Sequence, residues 1–192
     1  MINKINIRES KLLSDSWYRL RKYTFDYQKN NGEIETQKRE VYDRGNGAAI
    51  LLYNPAKKSV ILTRQFRIPT FLNGNSDGMM IEVCAGVLDK SDPEACIIRE
   101  TKEETGYAIP EAHKIFESYM SPGAVTEILH FFVAEYSDDM KVDEGGGLDE
   151  EHEHIEVLEM SFNEAYELFE SGEIKDSKTI MLLQYAKINQ LV

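Results

Sequence analysis

Arg99-Glu100-Thr101-Lys102-Glu103-Glu104-Thr105-Gly106 places three carboxylates within one short stretch of chain. On a helix, Glu100 and Glu104 stand four residues apart and share a face, and Glu103 joins them at the i,i+3 spacing. Like charges so placed repel one another unless something lies between them. A divalent cation turns that repulsion into ligation, and carboxylate oxygens are hard donors suited to Mg²⁺ or Mn²⁺. A bare Glu-Lys-Glu-Glu run would read as an exposed, solvated helix. The Ala85-Gly86 turn before it, Arg99 beside Glu100 and Gly106 behind it favour a site.

The segment must be a helix for this to work, and its ends are well specified. Asp92 suits the N-cap, Pro93 the first helical position, and Glu94 the positive end of the helix dipole. Gly106 stands where a left-handed residue closes the helix. Ala95, Ile98, Thr101 and the alkyl stem of Lys102 are expected to face inward, with the acids gathered elsewhere.

Around this helix the chain reads as strands with few other helices. Residues 17–27 are rich in aromatic and β-branched residues, 33–42 alternate loosely, and the two flank the turn signal Asn30-Asn31-Gly32, a strand-turn-strand extension up to about Asp43. Strands are expected over 48–53, 59–66, 80–84, 113–119, 128–136 and 155–160. Ser161 and Glu164 form a capping box for a helix ending near Gly172, and a last helix spans 177–189. The fold class that follows is α+β or layered α/β.

Composition narrows the function. A 42% hydrophobic, 10% aromatic chain of 192 residues can bury a core, as one domain or one domain with a small extension. A net charge of −12 opposes nucleic-acid binding. It would also repel a polyphosphate, unless metal ions and local arginines reverse the field in the pocket. No apolar run nears the roughly 20 residues of a membrane span, and residues 1–10 lack a secretory signal's apolar stretch. Cys84 and Cys96 sit in apolar contexts; buried free thiols and a cytoplasmic location are expected, and a zinc site is not.

The residues Gly86, Arg99, Glu100, Glu103, Glu104, Gly106 and Tyr107 resemble the Nudix box, G-x5-E-x7-R-E-U-x-E-E-x-G-U, with U a bulky apolar residue. Three features depart from it: Asp92 stands at the first Glu position, only six residues separate it from Arg99, and Thr101 replaces an apolar residue. Asp92 is therefore read as a cap. The likeness extends through Lys38-Arg39-Glu40-Val41, Asp43-Arg44-Gly45, Arg64-Gln65-Phe66-Arg67, Glu82-Val83-Cys84-Ala85-Gly86 and Tyr119-Met120-Ser121-Pro122-Gly123. In this order they resemble the nucleoside-diphosphate-sugar pyrophosphatases, nearest to the branch acting on GDP-mannose, with ADP-ribose pyrophosphatases as near relatives.

The resemblance implies an α-β-α sandwich around a mixed sheet. An N-terminal strand extension, 1–43, would form a dimer, and residues 44–192 the hydrolase domain. It implies Mg²⁺-dependent attack of water on a pyrophosphate bridge, with GDP-mannose giving GMP and mannose 1-phosphate. An ADP-sugar substrate is the alternative within the class, and a silent nucleotide-sugar sensor the alternative outside it. The Ala85 carbonyl and the carboxylates of Glu100 and Glu104 would bind the metal, with Glu103 completing the cluster through water and Arg99 orienting a box carboxylate. Glu82 is read as structural. In the late loop 143–154, three glycines are expected to grant mobility. Glu153, or Glu151, would supply a further metal ligand or base there, and His152 and His154 are read as surface residues. Arg67, Glu127 and Lys178 are candidate substrate contacts. Trp17, Lys38, Arg39 and Glu40 would reach a partner subunit's pocket, although Trp17 equally suits a core or interface and Lys38 and Arg39 suit solvent.

Overall fold

The computed structural model describes residues 5–88, 92–148 and 154–192. They form two compact units, one of 1–46 with 118–129, the other of 47–117 with 130–192.

The first unit is built on a three-stranded antiparallel sheet in the order β1-β2-β3, from β1 (Ile5–Asp15), β2 (Arg19–Gln28) and β3 (Ile34–Asp43). The Asn30-Asn31-Gly32 turn joins β2 to β3, with Gly32 at φ +88° donating to the Lys29 carbonyl. β1 goes beyond the strand-turn-strand expected: every residue in it is exposed, so it carries no apolar alternation for the sequence to betray. The Ser121-Pro122-Gly123 turn docks beside β3. Tyr42 N–H donates to Ala124 O, and Thr126 N–H donates back to Tyr42 O.

The second unit holds a seven-stranded sheet with the path β10-β5-β4-β9-β8. Its strands are β4 (Gly47–Asn54), β5 (Ser59–Phe66), β6 (Met79–Glu82), β7 (Cys84–Val87), β8 (His113–Tyr119), β9 (Ile128–Glu135) and β10 (Glu156–Ser161). The hairpin of β4 and β5 pairs only over Leu52–Asn54 and Ser59–Ile61, then splays. The wedge is filled by a strand the sequence presents as one run, which here divides in two. β6 pairs with β5 (Thr63 opposite Glu82) and β7 with β4 (Ile50 opposite Cys84). Val83 lies at the changeover, and its amide finds its acceptor outside the sheet, in the Thr179 hydroxyl at 2.8 Å.

Because successive strand residues point to opposite faces, β4 supplies two cores. Ala48, Ile50 and Leu52 join Ile61, Cys84, Phe132 and Ile97 on one face. That face is covered by α2 (Pro93–Thr105), which contacts both β4 and β7. On the other side, Phe131 stacks on Phe116, which meets Tyr185 of α4 (Ser177–Ile188). Helices thus cover the sheet on both faces, with α3 (Phe162–Glu170) packed beside β10. The capping box before α3 forms, Glu164 N–H donating to Ser161 Oγ at 3.2 Å. A short helix, α1 (Ile68–Leu72), was not legible, because Pro69 within five residues reads as a break. Among the described residues no helix is long and apolar enough to cross a membrane.

Candidate active site

α2 begins and ends where its caps predict. Asp92 accepts from Glu94 N–H at 3.1 Å, and Gly106 closes the helix at φ +78° with its N–H on Lys102 O. Its inward face is partly the one expected: Thr101 is buried and Ile98 packs against the core, but Ala95 and Lys102 are exposed, and Cys96, Ile97, Glu104 and Thr105 are buried in their place. The rotation is possible because the two threonines bury no unpaired hydroxyl: Thr101 Oγ1 donates to Ile97 O (2.7 Å) and Thr105 Oγ1 to Thr101 O (2.5 Å). Glu104 is consequently only 3% exposed, facing the sheet rather than solvent.

Gly86 on β7 explains how Glu100 approaches as closely. A Cβ added there would lie 2.3 Å from Glu100 Cδ and 2.6 Å from its Oε1. The carboxyl group of Glu100 occupies the space that any side chain at position 86 would need. Both acids also act on Cys84: burial first, then the charges of Glu104 and Glu100, push its thiol pKa well up. Cys84 and Cys96 are both buried and free. Arg99 donates to Glu100 Oε1 and to Glu103 Oε2, each at 2.8 Å, the orienting role expected of it.

The glycine-rich loop, expected to be mobile, makes defined contacts over its described part. Gly145, Gly146 and Gly147 all have positive φ. Gly146 N–H donates to Glu104 O (2.9 Å) and Gly147 N–H to Glu103 O (3.1 Å). The left-handed backbone aims these amides at carbonyls that a helix end leaves open. Described residues 143–147 are thus a cap on α2. Glu151, His152 and Glu153 lie outside the described residues.

Three further candidates fall in the second unit. Arg67 is paired with a buried acid: its Nε and Nη2 donate to Glu82 Oε2 at 3.0 and 2.6 Å. Burial lowers the Arg67 pKa, but Glu82, Glu104 and Asp176 outweigh it and raise the net value. Glu82 is 5% exposed, consistent with its structural reading. Lys178 Nζ donates to Asp176 Oδ1 at 2.6 Å. Asp176, the N-cap of α4, was missed; an Asp ahead of a helix is a signal that could have found it.

In the first unit, Arg44 Nε lies 3.4 Å from Glu127 Oε1 and its guanidinium 5.6 Å from the centroid of Tyr18. Glu127 is thereby held beside β3. Trp17 is 85% exposed, which removes the core reading. Lys38, Arg39 and Glu40 lie on β3 and are all exposed; Arg39 donates to Gln37 Oε1 and Lys38 O.

The residues present suit a hard divalent cation. Glu100 and Glu104 project from one helix beside β7, where Gly86 leaves room for a carboxylate and nothing larger, and the donors are all oxygen. Among the described residues no group of three His, Cys, Asp or Glu is gathered as a ready ligand set.

A NUDIX domain model matches residues 43–183, and a model described as the GDP-mannose pyrophosphatase NudK N-terminal domain matches residues 4–42. The chain belongs to the Nudix family. Nudix hydrolases generally use divalent metal ions. Among similar proteins, one named GDP-mannose pyrophosphatase from Salmonella typhimurium is 55% identical over 192 residues, all of both chains. Another so named, from Pectobacterium atrosepticum, is 58% identical over 188 residues, 98% of this chain and 96% of its own. A third, from Shigella flexneri serotype 5b, is 53% identical over the full length of both.

Proposed function

We infer that this Nudix hydrolase cleaves the pyrophosphate bond of a nucleoside-diphosphate sugar, with GDP-mannose preferred and GMP and mannose 1-phosphate as products. The observation that carries this reading is end-to-end likeness to GDP-mannose pyrophosphatases, including the N-terminal 4–42 segment as well as the box.

Mg²⁺ is the proposed metal, with Mn²⁺ able to substitute, held by the Ala85 carbonyl, Glu100, Glu104 and Glu153. When bound, it would neutralise charge on the pyrophosphate and lower the pKa of water. Arg99 holds Glu100 and Glu103 in position by forked donation. Glu103, Glu104 and a loop acid, Glu153 or Glu151, are the candidates for accepting the proton of the attacking water. Arg67, paired with Glu82, and Lys178, paired with Asp176, offer charge to the phosphates. Glu127, oriented by Arg44, accepts hydrogen bonds from base or sugar.

We further propose a homodimer in which the extension 1–43 supplies Trp17, Lys38, Arg39 and Glu40 to the partner's site, residues 44–192 forming the hydrolase domain. In support, a sheet whose β1 is exposed throughout, with Ile5, Ile7, Leu12, Leu13 and Trp17 in the open, lacks the burial an isolated sheet needs. Neither nucleic acid nor membrane is a proposed partner. A cytoplasmic location is supported by the two free thiols.

The test is side-by-side hydrolysis of GDP-mannose, ADP-ribose, UDP-glucose and NADH with magnesium, products being resolved by chromatography. The highest kcat/KM is expected for GDP-mannose. A clear preference for ADP-ribose would end the mannose reading.

A further inference from the structure

One hydrogen bond links the changeover between β6 and β7 to the start of α4, and three more at that helix end support it. Val83 N–H donates to Thr179 Oγ1 (2.8 Å), and that hydroxyl donates on to Asp176 Oδ2 (2.7 Å). The same Oδ2 accepts from Thr179 N–H (2.9 Å), as an N-cap should. The other carboxylate oxygen, Oδ1, accepts from Lys178 Nζ (2.6 Å). Thr179 is fully buried and Asp176 is 9% exposed, so neither bond is a surface accident.

The two oxygens of Asp176 therefore do different work. Oδ2 pins α4 to the backbone between Glu82 and Cys84, beside the strand that carries Ala85 and Gly86. Oδ1 holds an ammonium on a four-carbon stem that would otherwise sample many rotamers. Through Asp176 and the Thr179 hydroxyl, Lys178 is thus tied by successive hydrogen bonds to Val83, two residues before Ala85.

We propose that Asp176 is a positioning residue for substrate binding: it presets the Lys178 ammonium against the strand that bears the box turn. Fixing a cation before the phosphates arrive reduces the ordering cost of binding, so its loss falls on KM more than on kcat. The proposal rests on the reading of Lys178 as a substrate contact.

Asp176→Asn separates the two oxygens. Asn is as good an N-cap as Asp, so one side-chain oxygen can still serve Thr179, while an amide NH₂ faces the lysine and cannot accept from it. Asp176→Ser is a second variant that keeps a capping hydroxyl and removes the acceptor for Lys178. Kinetics with GDP-mannose and thermal melts are measured for these, for Lys178→Met and for Asp176→Asn/Lys178→Met.

Lys178→Met and Asp176→Asn are each expected to raise KM about five- to tenfold with kcat changed less than twofold. The double variant should then be no worse than either alone, because one residue acts through the other. Multiplied effects in the double variant, or a raised KM for Lys178→Met with none for either Asp176 variant, would overturn the positioning role. A lowered melting temperature with unchanged KM in both Asp176 variants would make the residue a cap alone. An unchanged KM in Lys178→Met would refute the substrate-contact reading itself, a result distinct from the others.

Discussion

At the scale of single residues, the site depends on a glycine as much as on the acids. Glu100 can lie against β7 only because position 86 has no side chain, and Arg99 then ties Glu100 to Glu103 on the outer side. Gly86→Ala puts a methyl group 2.3 Å from Glu100 Cδ, too close for any rotamer adjustment that leaves the carboxylate in place. Turnover should fall at least tenfold while the circular dichroism spectrum is retained. Near-wild-type turnover in that variant would remove Glu100 from the ligand set.

At the scale of elements, the box helix is locked at both ends, by Asp92 in front and by the glycine loop behind. A Cβ on Gly145 would come within 2.5 Å of Glu104 O, at a φ of +66° that other residues resist, whereas a Cβ on Gly123 meets nothing within 4 Å. Gly145→Ala should therefore lower stability by about 1–3 kcal/mol in denaturant titration, and Gly123→Ala should leave it nearly unchanged. Equal midpoints would mean the cap contributes nothing.

These elements also mark how far the sequence could be read. The caps and acids of α2 were legible because capping chemistry is local: Asp92 and Gly106 act on backbone one turn away. The face that α2 buries was only partly so, because the close seat of Glu100 depends on a glycine 14 residues earlier in the chain, and burial of Thr105 on a hydroxyl that bonds back to the helix's own carbonyl. The division of β6 from β7 was equally hidden, since the acceptor for Val83 lies on α4, 96 residues on. Glycines at 145–147 suggested mobility by composition, and the acceptors of their amides, on Asp143, Glu104 and Glu103, could not be read from it.

At the scale of the whole molecule, an acidic protein is asked to bind an acidic substrate. With a net charge of −12, long-range steering works against a nucleotide sugar, and the proposed contacts of the metal, Arg67 and Lys178 would offset it locally. The exposed N-terminal sheet bears on assembly. Sedimentation at working concentration should give the mass of two chains, and a monomer there would contradict the shared-site reading.

The most direct measurement of the central claim is the magnesium dependence of GDP-mannose hydrolysis by the wild type and by Glu104→Gln, which removes a charge and little volume. Wild-type turnover should require the metal and yield GMP with mannose 1-phosphate, while the folded variant should lose at least a hundredfold in kcat. Undiminished turnover by Glu104→Gln in metal-limited buffer would contradict it.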